Sequence, residues 1–252
     1  MSEISRAVLV TGGSRGIGAA IARAFAANGD RVAVHYSSSR AAADVVLESL
    51  PGDGHVLAHA HLRDPLAIRN MVDHAAASLG GIDIVVNNAG VFIAHPIESV
   101  DYEEWQRTWS EVIGVNLIGA ANVTWCALQH MPRHGNSRII NVGSRGAFRG
   151  EPQCPAYGAS KAGIAAFGQS LAKSLGPLGI AVTTIAPGFV ETDMAAESLA
   201  GHGGDVIRAQ SPFNRVPSPD EVAAAVLFLA SPAAEWASGT VLDFNGASYF
   251  RL

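Results

Sequence analysis

The stretch "AVLVTGGSRGIGAAIARAF", Ala7 to Phe25, decides the fold. Four apolar residues give way to a glycine-rich turn, and the turn opens directly into a run of small and apolar helix formers. Gly12, Gly16 and Gly18 are spaced so that the backbone can turn tightly, approach a pyrophosphate and let the helix lie close on a sheet. The helix N-terminus would then face the phosphates with its free N–H groups. A glycine turn alone is also what any tight strand-to-helix connection needs. Its weight depends on what the rest of the chain builds around it.

Working outward, short apolar runs recur: "AVLVT" from Ala7, "RVAVHY" from Arg31, "HVLAH" from His55, "IDIVVN" from Ile82, "RIINV" from Arg138, "IAVTTIA" from Ile180 and "TVLDF" from Thr240. Helix-like stretches begin near Gly16, Arg40, Pro65, Asp101, Ala156 and Pro219, the last with the start signal "SPDE" at Ser218. Strands that alternate with helices imply a parallel sheet, because parallel neighbours need a crossover and the helices supply it. The runs are continuous rather than alternating, so both faces of the sheet are covered. The expectation is one α/β domain over 1–252: a seven-stranded parallel sheet, doubly wound, with helices on both faces. Gly29 should stop the first helix. The least regular segment, Glu191 to Pro217, holds Gly201, Gly203 and Gly204 and reads as a mobile substrate lid.

Composition agrees with this class. The 252 residues are 48% hydrophobic and 15% charged, enough for a large core, and the net charge of -5 argues against nucleic acid or an anionic membrane surface as partner. The start "MSEISRAVLVTGG" fits a first strand better than a signal peptide, and no segment is long and apolar enough to span a bilayer. Cys126 and Cys154 make no disulfide framework and suit a reducing cytoplasm; Cys154, three residues before Tyr157, reads as an unreactive thiol. No metal-ligand spacing is present.

The second strand ends in "HYSSSR", His35 to Arg40, without the acid that would accept hydrogen bonds from the ribose of NAD. Its serines, with Arg40 and with Arg15 from the glycine turn, could receive a 2′-phosphate, which favours NADP(H). Further on, Ser144 follows the fifth apolar run, while Tyr157 and Lys161 lie four apart in "YGASKAGIAAFGQSLAKSL" and share one helix face. Carbonyl reduction needs a proton donor. A tyrosine beside an ammonium can serve, because the positive charge favours the phenolate left behind. Arg145 and Arg149 flank this stretch and read more readily as solvated loop residues than as partners of an acidic substrate.

Together these residues resemble the short-chain dehydrogenase/reductase family from Val8 to Gly246. The motifs, in order, are "TGGSRGIG" (Thr11 to Gly18), "NNAG" (Asn87 to Gly90), Asn116, Ser144, "YGASK" (Tyr157 to Lys161) and "PGFVET" (Pro187 to Thr192). "PGFVETDM" is most like the 3-oxoacyl-acyl-carrier-protein reductases. The resemblance implies a Rossmann-like sheet and a catalytic set of Asn116, Ser144, Tyr157 and Lys161. In that set Ser144 orients the substrate oxygen, Lys161 also binds the nicotinamide ribose, and Asn116 holds a water that links Lys161 to solvent. It also implies cofactor contacts from Gly12, Ser14, Arg15, Gly16, Ile17 and Gly18 in the turn, and from Tyr36, Ser37 and Ser38 after the second strand. His61, Leu62, Asn88, Ala89 and Gly90 follow, then Tyr157 and Lys161 themselves, then Pro187, Gly188, Val190 and Thr192. His61 stands where the family usually has an Asp near the adenine, and Ala247 where a second glycine is common. Family members are commonly homotetramers, and the stretch Asp101 to His130 and the tail "TVLDFNGASYF" offer surfaces for that. The implied activity is NADPH-dependent reduction of a ketone or 3-oxoacyl carbonyl. The alternatives are oxidation of a sugar, steroid or other secondary alcohol, and a non-catalytic NADP(H)-binding sensor or scaffold.

Overall fold

The computed structural model describes residues 5–133 and 136–251. Seven strands form one parallel sheet: β1 (Ala7–Val10), β2 (Arg31–Tyr36), β3 (Val56–His59), β4 (Ile84–Asn87), β5 (Ser137–Val142), β6 (Ile180–Pro187) and β7 (Val241–Phe244). Their spatial order is β3-β2-β1-β4-β5-β6-β7. The chain builds outward from β1 to β3, then returns to lay β4 on the other side of β1, so the connections diverge between β1 and β4. Crevices for ligands form at the carboxyl ends of the strands at such a reversal.

The helices are α1 (Gly16–Ala27), α2 (Arg40–Glu48), α3 (Pro65–Leu79), α4 (Tyr102–Ile113), α5 (Ala120–Ala127), α6 (Gly146–Arg149), α7 (Pro155–Leu175), α8 (Asp193–Leu199), α9 (Gly201–Arg208) and α10 (Pro219–Leu229). They cover both faces of the sheet. Val8 and Val10 of β1 point into a core with Ile21 and Phe25 of α1 and Val222 and Val226 of α10. Ala7 and Leu9 point the other way, into a core with Ile68 and Val72 of α3 and Val123 of α5. A strand whose successive residues all meet a core has no polar face to show, which is why these runs read as continuous. The edge strands β3 and β7 are the exceptions, with His59 and Leu242 exposed.

Local signals set the helix ends. Asp64 caps α3 by accepting from the N–H groups of Leu66 (2.9 Å) and Ala67 (3.0 Å), and Pro65 fills the first turn. Ser218 and Glu221 form the reciprocal capping box of α10 that "SPDE" predicts. Gly29 has φ 89° just past α1. The segment Glu191 to Pro217 contains the two helices α8 and α9, and of its three glycines only Gly201, the first residue of α9, is left-handed (φ 58°). Glycine lowers helix propensity by about 1 kcal/mol, which the packing of α9 on α8 offsets. Among the described residues no helix is long and apolar enough to cross a membrane.

Candidate active site

The glycine turn sits at the end of β1, stitched to both neighbouring strands. Thr11 N donates to Val86 O (3.0 Å) on the β4 side, and Gly13 N donates to His35 O (2.8 Å) on the β2 side. Gly18 brings α1 hard against the turn: a Cβ there would lie 2.1 Å from Gly12 O. No side chain fits that approach. His35 completes the brace, its Nδ1 accepting from Gly12 N (2.8 Å) and its Nε2 lying 3.1 Å from Ala60 O. Burial lowers the pKa of His35 to about 4, so the ring is neutral at physiological pH, with Nδ1 as acceptor and Nε2–H as donor to the carbonyl. Arg15, at the N-cap of α1, supplies no side-chain cap, and no acid stands in the first turn. The helix therefore presents uncapped N–H groups to the cleft, the donor set that a pyrophosphate requires.

One cleft of about 500 Å³ runs from this turn to Tyr157. Every residue named above as a cofactor contact lines it, and so do Ser144, Tyr157 and Lys161. Asn116 lies behind the wall. At one end stand Arg15, Tyr36, Ser37, Ser38, His61 and Leu62. Arg40 does not line the cleft: its Nε lies 3.0 Å from Asp44 Oδ1, one helical turn along α2, and its side chain also hydrogen-bonds Tyr36 at the cleft's edge. At β4, Asn88 and Ala89 donate their backbone N–H groups to Thr11 Oγ1 at 2.9 and 3.1 Å, so Thr11 ties "NNAG" to the glycine turn. Asn87 ties β4 to β5, its Nδ2 donating to Asn141 Oδ1 at 2.9 Å.

Asn116 occupies a π-helical turn, Gly114–Gly119, between α4 and α5. The widened turn aims its amide across the chain. Oδ1 accepts from Val91 N (2.8 Å), while Nδ2 donates to Val91 O (3.0 Å) and to Ser160 Oγ (3.1 Å). The side chain thus fastens the segment after β4 to the catalytic face of α7. Both amide donors are spent in doing so.

Ser144, just past β5, shares a hydrogen bond with the Tyr157 phenol and accepts from Gly146 N at 3.0 Å. The Phe92 ring meets Tyr157 edge-on at 4.9 Å. Lys161 is buried, its Nζ donating to Val142 O (2.7 Å) and lying 5.7 Å from the Tyr157 ring centre. The titration differs from the sequence expectation. Burial pushes the Tyr157 phenol up to about 12, against the pull of the Ser144 hydrogen bond, and pushes Lys161 down to about 8. The ammonium is directed at the Val142 carbonyl, and desolvation outweighs its attraction for a phenolate.

A family model described as enoyl-(acyl carrier protein) reductase matches residues 12–246. The chain belongs to the short-chain dehydrogenase/reductase family. It is 36% identical over 249 residues to the 3-oxoacyl-[acyl-carrier-protein] reductase of Vibrio cholerae, covering 99% of each chain. It is 35% identical over 257 residues to a versicolorin reductase of Emericella nidulans, covering 97% of this chain and 96% of that one. Among solved structures, a short-chain dehydrogenase from Burkholderia cenocepacia in complex with NADP superposes with a TM-score of 0.87 at 35% identity, covering 96% of this chain and 97% of that one. The chain is an oxidoreductase with the Rossmann-like sheet of this family.

Several residues around this short-chain dehydrogenase/reductase cleft escape sequence reasoning. His35 and Phe92 carry no motif of their own, and their roles depend on partners that the fold supplies. Glu151, Phe189 and Met194 also line the cleft. The reading of Arg145 as a solvated loop residue is overturned: its side chain is 3% exposed and lines the cleft, with Phe189 beneath its guanidinium at 5.3 Å. Arg149 is exposed, as expected. Cys126 and Cys154 are buried and unpaired, and burial raises the Cys154 thiol to about 11, which leaves it unreactive. No group of metal-ligating side chains occurs among the described residues.

Proposed function

We propose that this protein is an NADPH-dependent reductase of a ketone or 3-oxoacyl carbonyl, with Tyr157 as proton donor. The observation that carries the reading is the convergence of Ser144, Tyr157 and Lys161 in one cleft with the glycine turn, Arg15 and the serines after β2, a strand that ends without an acid. When bound, NADPH supplies the hydride for the carbonyl carbon. The Tyr157 phenol, at about 12, holds its proton at neutral pH and delivers it to the carbonyl oxygen, which Ser144 positions. Lys161, at about 8, is mostly charged at pH 7 and offsets the negative charge as the proton leaves. With both amide donors of Asn116 spent, a water linking Lys161 to solvent would be held at one of the Asn116 oxygens. Arg15, Ser37 and Ser38 take the 2′-phosphate, in keeping with the NADP of the Burkholderia neighbour.

The name of the similar 3-oxoacyl-[acyl-carrier-protein] reductase supports a 3-oxoacyl substrate, small or carrier-borne, and the two buried, unpaired cysteines suit a reducing cytoplasm. Exposed Tyr102, Ile118 and Trp125 on the α4–α5 stretch, with Leu242 and Phe250 near the C-terminus, support assembly as a homotetramer. The deciding experiment follows NADPH oxidation against 3-oxoacyl thioesters, cyclic ketones, diketones and ketosugars, in the wild type and in Tyr157→Phe. Turnover should fall at least about a hundredfold in the variant, the lower end for general acid catalysis, while NADPH affinity persists. Wild-type turnover in Tyr157→Phe would remove Tyr157 as the donor.

A further inference from the structure

We propose that the substrate end of the cleft is built for a ketone that carries a carboxylate a few bonds from its carbonyl, held by Arg145 with Arg149 beside it. This rests on the reductase reading and names its substrate class. Arg145 directly follows Ser144, so a group it holds lies close to the reacting carbonyl. Its guanidinium is buried, yet no carboxylate lies within ion-pair distance of it among the described residues. Its partners are neutral. Nη1 donates to Ser248 Oγ, Nη2 donates to Gln210 Oε1 at 2.6 Å, and the plane rests on Phe189.

Arg149, four residues on, reaches the same Gln210 oxygen with its Nη1 at 3.5 Å. Two guanidinium groups therefore converge on one uncharged oxygen, an arrangement that a carboxylate oxygen satisfies better because both hydrogen bonds become charge-assisted at each end. Gln210 lies just after α9, in the irregular segment before Pro217, and its amide oxygen occupies the position that a ligand carboxylate oxygen would take on both arginines. Arg149 also lies 3.6 Å from Glu151 Oε1, which meets one of the two positive charges and leaves the other unmatched. Burial without a counter-charge lowers the pKa of Arg145 to about 10, with Arg149 adding to the effect. An isolated buried charge is unfavourable to folding, and one that faces a binding cleft is matched when an anionic ligand arrives. A thioester on a long carrier arm presents no charge at this point; an oxo acid does. Its reduction forms the C–H bond from the hydride of NADPH and the O–H bond from the Tyr157 proton, breaks the carbonyl π bond, releases NADP⁺ and leaves the carboxylate unchanged.

The test measures kcat/KM for 2-, 3- and 4-oxo acids and for their methyl esters, which share the carbonyl and lack the charge. The wild type should favour at least one acid over its ester by about tenfold or more, as expected for hydrogen bonds to a charged group. Arg145→Gln should lower that acid-to-ester ratio by about tenfold to a hundredfold, and Arg145→Lys, which keeps the charge and loses the fork, by less. Gln210→Glu sets a carboxylate of the protein itself on both arginines and should lower the ratio without any loss of positive charge. A wild-type ratio near one throughout the series overturns the proposal and leaves the reductase reading standing, as does a ratio unchanged in both Arg145→Gln and Gln210→Glu. Where no pair is turned over, calorimetry of the hydroxy acids and their methyl esters on the NADP⁺ complex decides. Tighter binding of an acid, lost in Gln210→Glu, upholds the anion site while the reductase reading fails; equal or absent binding overturns it.

Discussion

Replacing Arg15 with Ala tests the cofactor reading at the point where it is most exposed to error, because two arginines stand near the serines after β2 and only Arg15 lines the cleft. Arg40 is held by Asp44 at 3.0 Å, whereas Arg15 lines the cleft beside Ser37 and Ser38 with no ion-pair partner among the described residues. A hydrogen bond to a charged group contributes about 1.5–3 kcal/mol. Arg15 is solvent-exposed, so the lower end applies, and about 1.4 kcal/mol corresponds to a tenfold change. The ratio of kcat/KM for NADPH over NADH should therefore fall about tenfold in Arg15→Ala, through the NADPH term, and by less than about twofold in Arg40→Ala. Screening sharpens the test. Raising ionic strength from about 0.01 M to about 0.15 M shortens the Debye length from about 30 Å to about 8 Å, so the NADPH advantage of the wild type should shrink while that of Arg15→Ala stays flat. Tyr36→Asp, which sets a carboxylate at the end of β2, should move preference toward NADH as well. A ratio unchanged in Arg15→Ala, or an equal loss in Arg40→Ala, would refute the assignment of the 2′-phosphate to the glycine turn.

The pH profile of reduction should decline with an apparent pKa near 8 as Lys161 loses its proton, while the phenol, at about 12, stays protonated across the same range; a profile flat to about pH 10 would contradict that order. His35 makes the fold acid-sensitive. Its pKa is about 4 when folded against 6.5 when free, so its contribution is fully present above 6.5 and is lost progressively as pH falls toward 4, by up to about 3 kcal/mol at about 1.4 kcal/mol per pH unit. His35→Asn keeps an acceptor for Gly12 N without titrating, and its urea-unfolding stability should vary less between pH 6.5 and 4 than that of the wild type. Gly18→Ala forces a Cβ to within 2.1 Å of Gly12 O, and should cost about 1–3 kcal/mol, lower Tm by about 3–10 °C and weaken NADPH binding in a fluorescence titration.

What the sequence revealed of this site follows how local each signal is. The run Ala7 to Val10 is legible because both its faces are buried, and Tyr157 and Lys161 because four residues on a helix make one face. The capping box at Ser218 is legible because it closes over three residues. Arg145 was misread because its burial depends on Gln210 and Ser248, 65 and 103 residues away, and nothing beside it in the chain announces them. His35 is silent for the same reason: its ring becomes a brace only when Ala60 O and Gly12 N arrive on either side. The glycines of Glu191 to Pro217 announce an irregular segment but not the helices α8 and α9, which pack on each other.

The protonation order in the cleft bears on the direction of the chemistry. Free tyrosine and lysine titrate close together, at 10.0 and 10.5, but here the lysine falls to about 8 and the tyrosine rises to about 12. Between those values the protein by itself holds both groups neutral. Below about 8 it holds a neutral phenol beside an ammonium, which is the state that gives a proton to a developing alkoxide. In the proposed mechanism the reverse reaction needs the phenolate, which none of the described residues brings down to neutral pH. That mechanism assigns the missing positive charge to the oxidised nicotinamide. The chain alone therefore sets the pair as an acid, and oxidation becomes accessible only with the cofactor in its cationic form. Titration of Tyr157 by its ultraviolet difference spectrum, in the free protein and with NADP⁺ added, reads this dependence directly: the phenolate should appear at lower pH only in the second sample.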